Sequence, residues 1–260
     1  MSRAVLVTAL VVVLAACAAP GRAPAAPAPV GVPTAGPAAP APARSGYAVP
    51  PGATIVIDPG HDGGNGRAAA AIARPVPDGR GGTKPCNTTG AATADGYPEH
   101  AFTWAVSQRL ADLLRGRGYR VVLTRPDDTG VGPCVDERGT AGQRAGAAAV
   151  LSVHADGAPA AGHGFHVLYS APPLNPAQRG PARALADAAV ASLRGAGFTP
   201  ATYIGRGGLD ARDDIAGLNL ATVPTVLVEC ANLGNRDDAA LARSPEGQQR
   251  FAAALAATIG

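Results

Sequence analysis

Short apolar runs alternate with segments of helical periodicity from about residue 54 to the C-terminus. The runs that predict strands are 54–58, 119–124, 150–154, 164–169 and 223–229. The segments that predict helices are 98–115, 137–147, 181–194 and 245–259. Strands that are apolar on both faces are typical of parallel sheets covered by helices. The pattern therefore predicts an α/β fold, a single domain with a mostly parallel twisted sheet flanked by helices on both faces.

The segment 63–95 does not follow this alternation. It is rich in glycine and shows neither helical nor strand periodicity. A structureless loop of this length inside a compact domain is usually functional or disordered. We expect a loop that lies beside the functional site and is pinned by Cys86.

The first 17 residues predict an export signal. Met1-Ser2-Arg3 is followed by an apolar run that is too short for a comfortable membrane span. The run ends in Leu14-Ala15-Ala16-Cys17, which resembles the lipobox of bacterial lipoproteins, in which the cysteine is lipidated. The alternative is an ordinary signal peptide that happens to contain a cysteine.

Residues 18–50 are rich in Ala and Pro, nearly uncharged and poor in large apolar side chains. Such a segment cannot bury a core, so it predicts a disordered or polyproline-like tether. At ~3.1 Å per residue the tether would reach up to roughly 100 Å. The expected organisation is a signal peptide with lipobox (1–17), a tether (18–50) and a catalytic domain (51–260).

Composition and charge exclude one class of partner. The formal net charge is +3, aromatic residues make up 4% of the chain and the arginines are scattered, so nucleic acid is not an expected partner. Weak basicity suits an anionic polymer such as a cell wall, but it is poor evidence by itself.

We expect an exported monomer in the cell envelope, joined to the outer face of the plasma membrane only by a lipid on Cys17.

Three further cysteines follow in the predicted domain. Cys86 and Cys134 lie in loop contexts, and an exported protein meets an oxidising compartment, so we expect them to form a disulfide. A bridge that closes a loop of about 50 residues stabilises by roughly 4 kcal/mol in the chain-entropy treatment. Zinc ligation by this pair is the alternative, although neither has a CxxC neighbour. Cys230 lies in an apolar strand, which indicates a buried and inert thiol.

Polar side chains that suit a metal stand where the predicted strands end. His61 follows the first strand, His154 closes a second and Glu229 closes a third, while Glu99 starts a helix. Functional groups gather at the carboxyl ends of the strands in open α/β sheets. Two His, one Glu ligand and one further Glu are what a zinc hydrolase needs, namely three ligands, an open position and a base.

Each of these residues also has a simpler interpretation. A single His at a strand end is often an ordinary loop residue, and a Glu in the first helical turn is favoured by the helix dipole. His100 is a rival ligand beside Glu99. A carboxylate such as Glu229 at the end of an otherwise buried strand is costly unless it is paired or functional.

Other polar residues near these positions are expected to play supporting roles. Asp58 and Asp156 fit loop-fixing or supporting positions around the metal ligands. His163 and His166 flank a predicted strand and are not expected to be ligands, although His166 could face the substrate groove.

Taken in order, these motifs resemble the zinc-dependent N-acetylmuramoyl-L-alanine amidases, which cleave the amide between muramic acid and the first L-Ala of the stem peptide. The resemblance covers about residues 54–259. The matching motifs are Ile57-Asp58-Pro59-Gly60-His61, the helix-start Glu99, Leu123-Thr124-Arg125, Ser152-Val153-His154-Ala155-Asp156 and Val228-Glu229. Each motif alone is weak, but the ordered set is specific.

The resemblance implies that His61, Glu99 and His154 bind Zn²⁺ and that Glu229 is the catalytic carboxylate. It implies a peptidoglycan or muropeptide substrate. Two departures from the common pattern stand out: a long His61-to-Glu99 spacing, and Asn219 where many members carry an arginine. No wall-binding repeat or inhibitory helix is evident. The alternatives are another zinc hydrolase of the wall, such as a peptidase or deacetylase, or a non-catalytic wall-binding lipoprotein.

Overall fold

The structure is a computed structural model, and it describes residues 46–260. The predicted signal peptide, the Cys17 lipobox and most of the predicted tether lie outside the described residues. Tyr47 and Val49, which the sequence pattern assigns to the tether, belong to the packed domain: Tyr47 forms a parallel bridge with Ile259, and Val49 is buried. No helix in the described part of the chain is long and apolar enough to cross a membrane.

Eight strands and eight helices build the described part of the chain. The strands are β1 (Thr54–Pro59), β2 (Pro75–Pro77), β3 (Thr83–Pro85), β4 (Arg120–Leu123), β5 (Ala149–Asp156), β6 (His166–Ser170), β7 (Leu209–Arg212) and β8 (Thr225–Asn232). The helices are α1 (Ala69–Ile72), α2 (Glu99–Gly116), α3 (Val135–Arg144), α4 (Pro176–Arg179), α5 (Pro181–Gly195), α6 (Ala216–Asn219), α7 (Arg236–Arg243) and α8 (Pro245–Ala257).

Six strands form the main sheet in the order β4-β1-β5-β8-β6-β7. Every neighbouring pair is parallel except β6–β8, which is antiparallel. The central strands are built from aliphatic, mostly β-branched residues that are buried on both faces, as a parallel sheet between helices requires. The predicted fold class, a mostly parallel sheet flanked by helices on both faces, is confirmed.

The two faces of the sheet are packed differently. On the first face, α2, α5 and α8 pack on alternate strand residues and form one continuous core that includes Phe102, Leu185 and Phe251. On the second face lie α3 and α6, and the apolar residues there fall into separate small clusters around Val56 and Leu227. Side chains alternate between the faces along each strand, so every strand contributes to both.

Several element boundaries differ from the sequence prediction. The strands β5 and β8 continue past His154 and Glu229 to Asp156 and Asn232, and a bulge lies between His154 and Asp156. The strand β7 and the helix α7 were not predicted, because both are short and largely polar. A polar residue interrupts the apolar pattern that predicts a strand, but the strand in the folded sheet continues past it.

The prediction that residues 63–95 have no regular structure is wrong, although Cys86 pins the segment as expected. The segment contains a 3₁₀ turn (Asn65–Arg67), α1 and a two-stranded antiparallel hairpin formed by β2 and β3. These elements are too short for periodicity to reveal. The predicted disulfide between Cys86 and Cys134 is present and ties the end of the hairpin to the start of α3, whereas Cys230 is a buried free thiol.

Candidate active site

Three side chains of the types that bind metals converge at the carboxyl end of the sheet. They are His61 after β1, Glu99 in the first turn of α2 and His154 in β5. One ligand atom from each lies within 4.8 Å of the others. His100, the rival to Glu99, turns away and contacts the carboxylate of Asp128 through Nδ1 at 2.8 Å.

His61 is held in an unusual backbone conformation. Its φ is +58°, and it is the one non-glycine residue with a positive φ in the described chain. Such strain persists where the surrounding structure enforces it, often at functional sites. The Nδ1 atom of His61 lies 3.1 Å from the carbonyl oxygen of Thr88, and Nε2 lies 3.2 Å from Oε2 of Glu99. A carbonyl that accepts from one ring nitrogen leaves the other free to bind a metal.

Glu99 is buried, and both of its oxygens accept backbone hydrogen bonds. Oε1 accepts from the N–H of Ala155 at 3.1 Å, and Oε2 accepts from the N–H of Ala91 at 2.8 Å. Burial opposes ionisation, but His61 and His154 outweigh it and lower the pKa of Glu99. The side chain is thus fixed as a carboxylate that faces two imidazoles.

Two glycines allow the three groups to approach one another. A Cβ atom added to Gly60 would lie 2.4 Å from the ring of His154, and one added to Gly90 would lie 2.8 Å from Oε2 of Glu99. The backbone therefore closes around the donor atoms. Two imidazoles and one carboxylate, with space on the remaining side, fit the donor set of a catalytic zinc ion.

Glu229 faces the same space from the neighbouring strand. It pairs in register with His154, and its half-buried side chain lines the same cavity as the three donor residues. Its Oε2 atom is buried and has no hydrogen-bond partner among residues 46–260. Burial raises the pKa of Glu229, and the carboxylates of Glu99 and Asp156 raise it further. A cation held by the donor set would offset that effect.

A buried ion pair supports the end of β1, and no motif in the sequence predicts its basic partner. Nη1 of Arg138 in α3 donates to Oδ1 of Asp58 at 2.6 Å, and Nη2 donates to the carbonyl oxygen of His61, also at 2.6 Å. Burial opposes ionisation of Asp58, but Arg138 and the hydroxyls of Ser152 and Thr124 lower its pKa to about 2. An arginine in an amphipathic helix carries no sequence signal for this role.

A second polar group lies beside Glu229. His166 is buried on β6 in register with Glu229, and its Nδ1 has no hydrogen-bond partner in the described chain. The hydroxyl of Tyr203 donates to Oδ2 of Asp156 at 3.1 Å, and its ring packs edge-on against His166. His163 is exposed. His166 and Asp156 thus flank Glu229, whereas His163 does not.

Asn219 stands where many members of the family that the sequence resembles carry an arginine. It is buried and accepts from Nε of Arg80, at the tip of the β2–β3 hairpin, at 3.2 Å. Its Nδ2 donates to the carbonyl oxygen of Asp78 at 3.0 Å. The residue therefore fastens the hairpin to α6.

The donor set, the free carboxylate and the mostly parallel sheet together define an α/β domain with a candidate metal centre at the carboxyl ends of its strands. The N-acetylmuramoyl-L-alanine amidase family matches residues 55–260, so the chain belongs to this family and is an enzyme of that class.

Relatives with the same description align over most of the domain. The chain is 50% identical over 204 residues to N-acetylmuramoyl-L-alanine amidase Rv3717 of Mycobacterium tuberculosis, which covers 78% of this chain and 83% of that protein. It is 51% identical to the crystal structure of the amidase Ami1 from Mycobacterium smegmatis, with a TM-score of 0.78 and coverage of 80% and 95%. The apo form of Ami1 from Mycobacterium abscessus gives 50% identity, a TM-score of 0.78 and coverage of 80% and 97%.

Proposed function

We propose that this amidase hydrolyses the bond between N-acetylmuramic acid and L-alanine in peptidoglycan in a zinc-dependent reaction. The convergence of His61, Glu99 and His154 within 4.8 Å carries this proposal, together with the adjacent Glu229, whose Oε2 atom has no hydrogen-bond partner among residues 46–260. Zinc bound there supplies Lewis-acid chemistry, which polarises a carbonyl and acidifies water.

The protein residues divide the remaining work. Thr88 orients His61 through its ring nitrogen, and the N–H groups of Ala91 and Ala155 orient Glu99. Glu229 takes the proton of the attacking water through Oε2, which accepts no hydrogen bond from the described residues. It then delivers the proton to the nitrogen of the leaving L-alanine.

The site of action follows from the substrate. We propose an exported enzyme of the cell envelope that acts on peptidoglycan as a monomer. The lipobox at Cys17 and the Ala/Pro-rich tether would anchor it to the outer face of the plasma membrane. Mass determination of the N-terminal peptide of the protein recovered from membranes tests this: a diacylglyceryl modification on Cys17 is expected, and an unmodified cysteine would contradict the anchor.

The test of the catalytic roles compares two variants. Glu229→Gln keeps size and hydrogen bonding but cannot accept a proton at neutral pH, so turnover of a muramoyl peptide is expected to fall by ~10²–10⁴. Its zinc content should stay near that of the wild type. His154→Ala should lose both zinc and activity.

His100→Ala is the matched control for the ligand set, because His100 neighbours Glu99 but contacts Asp128. It should keep zinc, while Glu99→Ala should not. Zinc loss in Glu229→Gln would make Glu229 a ligand instead of a base. Unchanged turnover in that variant would place the base elsewhere, with Asp156 and His166 as the next candidates.

A further inference from the structure

The second face of the sheet contains a cavity that the core does not fill. Its volume is about 430 Å³, within the range of roughly 300–1,000 Å³ that is typical of ligand pockets. It extends from the donor residues at the carboxyl ends of β5 and β8 down to Val150 and Thr225, near their starts. That is about 13 Å along the strands, at ~3.3 Å per residue.

Most of the cavity wall is apolar. Val150 and Leu227 contribute from the sheet, Val135 from α3, and Ile215 and Leu218 from α6 and its cap. An unfilled apolar space of this size destabilises a fold, because its lining residues lose packing contacts. A space that opens onto the catalytic centre is therefore suited to binding a part of the substrate.

The hairpin closes one side of this cavity. Its tip is joined to α6 by the hydrogen bond from Arg80 to Asn219. A second hydrogen bond joins the hairpin to the segment before α6: Nζ of Lys84 in β3 donates to the carbonyl oxygen of Asp214 at 2.7 Å. A glycan strand extends in both directions and needs an open groove. A peptide branch, by contrast, ends and can enter a space that is walled on one side.

Lys84 is the cation of this cavity that is available to a ligand. Arg138 also lines it, but the guanidinium of Arg138 is committed to Asp58 and to backbone carbonyls. Lys84 forms no ion pair with a carboxylate in the described chain, and its ammonium has three donors, one of which binds Asp214. Lys84 is also the only lysine in the whole sequence.

We propose that the cavity on the second face receives the stem peptide of the substrate, and that Lys84 binds a carboxylate of that peptide beyond the first L-alanine. The apolar wall accommodates the aliphatic parts of the peptide, and the ammonium selects a free carboxylate over its amide. The inference rests on the proposed amidase reaction and adds the substrate feature that the enzyme prefers.

The kinetic test uses two substrates: a muramoyl tripeptide with free carboxylates and the same compound with those carboxylates amidated. The wild type should prefer the free acid by about 10- to 100-fold in kcat/KM, mainly through KM, as a charge-assisted hydrogen bond allows. Lys84→Met should abolish the preference, and Lys84→Arg should restore most of it. Thr83→Ala, an exposed neighbour in the same strand, is the matched control and should keep it.

Each contrary result has a defined meaning. A preference that survives in Lys84→Met, or a wild type that cleaves both substrates equally well, overturns the proposal. An equal loss on both substrates in Lys84→Met would assign Lys84 to hairpin positioning, which also overturns it. A zinc-loaded wild type that cleaves neither substrate contradicts the proposed function itself.

Binding can be measured without catalysis, because a single lysine can be labelled selectively. Reductive methylation of the zinc-loaded protein, followed by mass spectrometry of the peptide that contains Lys84, reports its accessibility. The released stem tripeptide should protect Lys84, and the amidated tripeptide should not. Equal labelling with and without the free-acid peptide overturns the proposal, whatever the kinetics show.

Discussion

The two faces of one sheet serve different purposes in this enzyme. On the first face, α2, α5 and α8 bury a continuous core with stacked and edge-on aromatic rings of Phe102, Phe198 and Phe251. On the second face, the apolar residues form small clusters around a cavity of about 430 Å³. The large continuous core lies on one side of the strands, and the candidate active site lies on the other.

Strand alternation produces this division. In β5 the residues 149, 151 and 153 enter the continuous core, so Ser152 and His154 face the opposite way. In β8 the residues 226 and 228 enter the core, so Leu227 and Glu229 face the cavity. A two-residue period thus places His154 and Glu229 on the same face of neighbouring strands.

The comparison predicts that truncating a core side chain on the first face destabilises the folded protein without altering catalysis. Phe251→Ala removes a fully buried ring from between Phe198 and Phe102, and should lower the free energy of unfolding by about 3–5 kcal/mol. Denaturant titration measures this change. The kcat/KM of the folded protein at low temperature should stay within about twofold of the wild type, a ΔΔG‡ of about 0.4 kcal/mol. The reason is that Phe251 lies on the face of the sheet opposite the cavity.

The disulfide should have the next largest effect, and it lies on the cavity side. Cys86 and Cys134 close a loop with a sequence separation of 48 residues. In the chain-entropy treatment their double substitution by serine costs about 4 kcal/mol, and engineered cases often give less. Reductant should destabilise the wild type by a similar amount and leave the double variant unchanged. A reductant effect on the variant would mean that the bridge is not the cause.

Truncating a side chain beside the cavity should have the opposite balance of effects to Phe251→Ala, with a smaller loss of stability and a larger loss of activity. Leu227→Ala enlarges a space that is already open, so the loss of unfolding free energy should fall near the low end for such changes, about 2 kcal/mol. The kcat/KM for a muramoyl peptide should fall more than in Phe251→Ala. Equal kinetic effects of the two substitutions would break the distinction between the faces.

The ion pair between Asp58 and Arg138 gives the second face a pH dependence. The pKa of Asp58 is lowered from 3.8 to about 2, so the folded state binds fewer protons than the unfolded state in that range. The stabilisation is fully present above about pH 4 and is lost as the pH falls through about 2, a total of about 2 kcal/mol. Asp58→Asn should flatten this part of the unfolding free energy against pH. An unchanged slope would show that Asp58 does not titrate with folding.

The sequence predicted the fold class because apolar periodicity carries that information, and it predicted the disulfide because Cys86 and Cys134 lie outside the apolar runs of a chain that begins with an export signal. It also pointed to His61, Glu99, His154 and Glu229, which the structure brings to one cavity; their roles remain proposals. Two of those residues stand at breaks in apolar runs, where a polar residue is costly without a function.

What the sequence could not predict depends on short or non-periodic features. The hairpin β2–β3 has three-residue strands, which lie below the length at which alternation can be recognised. The role of Arg138 depends on five acceptors from separate loops and strands, and no local pattern records them. The proposed role of Lys84 had one available signal in the sequence, because Lys84 is its only lysine.

The smallest predicted change concerns Glu229, whose effect on stability changes with pH in the direction opposite to that of Asp58. Its carboxyl pKa is raised well above 4.5 by burial and by the nearby carboxylates, so in the metal-free protein the folded state binds more protons than the unfolded state. This group therefore contributes most stability below about pH 4.5 and loses it as the pH rises toward the folded pKa.

In chelator, Glu229→Gln should be more stable than the wild type at about pH 8, and the difference should shrink toward about pH 5. Added zinc should narrow the gap at pH 8, because a bound cation favours the charged carboxylate. A Glu229→Gln variant that is less stable than the metal-free wild type at both values would show that the carboxylate stabilises the second face instead of straining it.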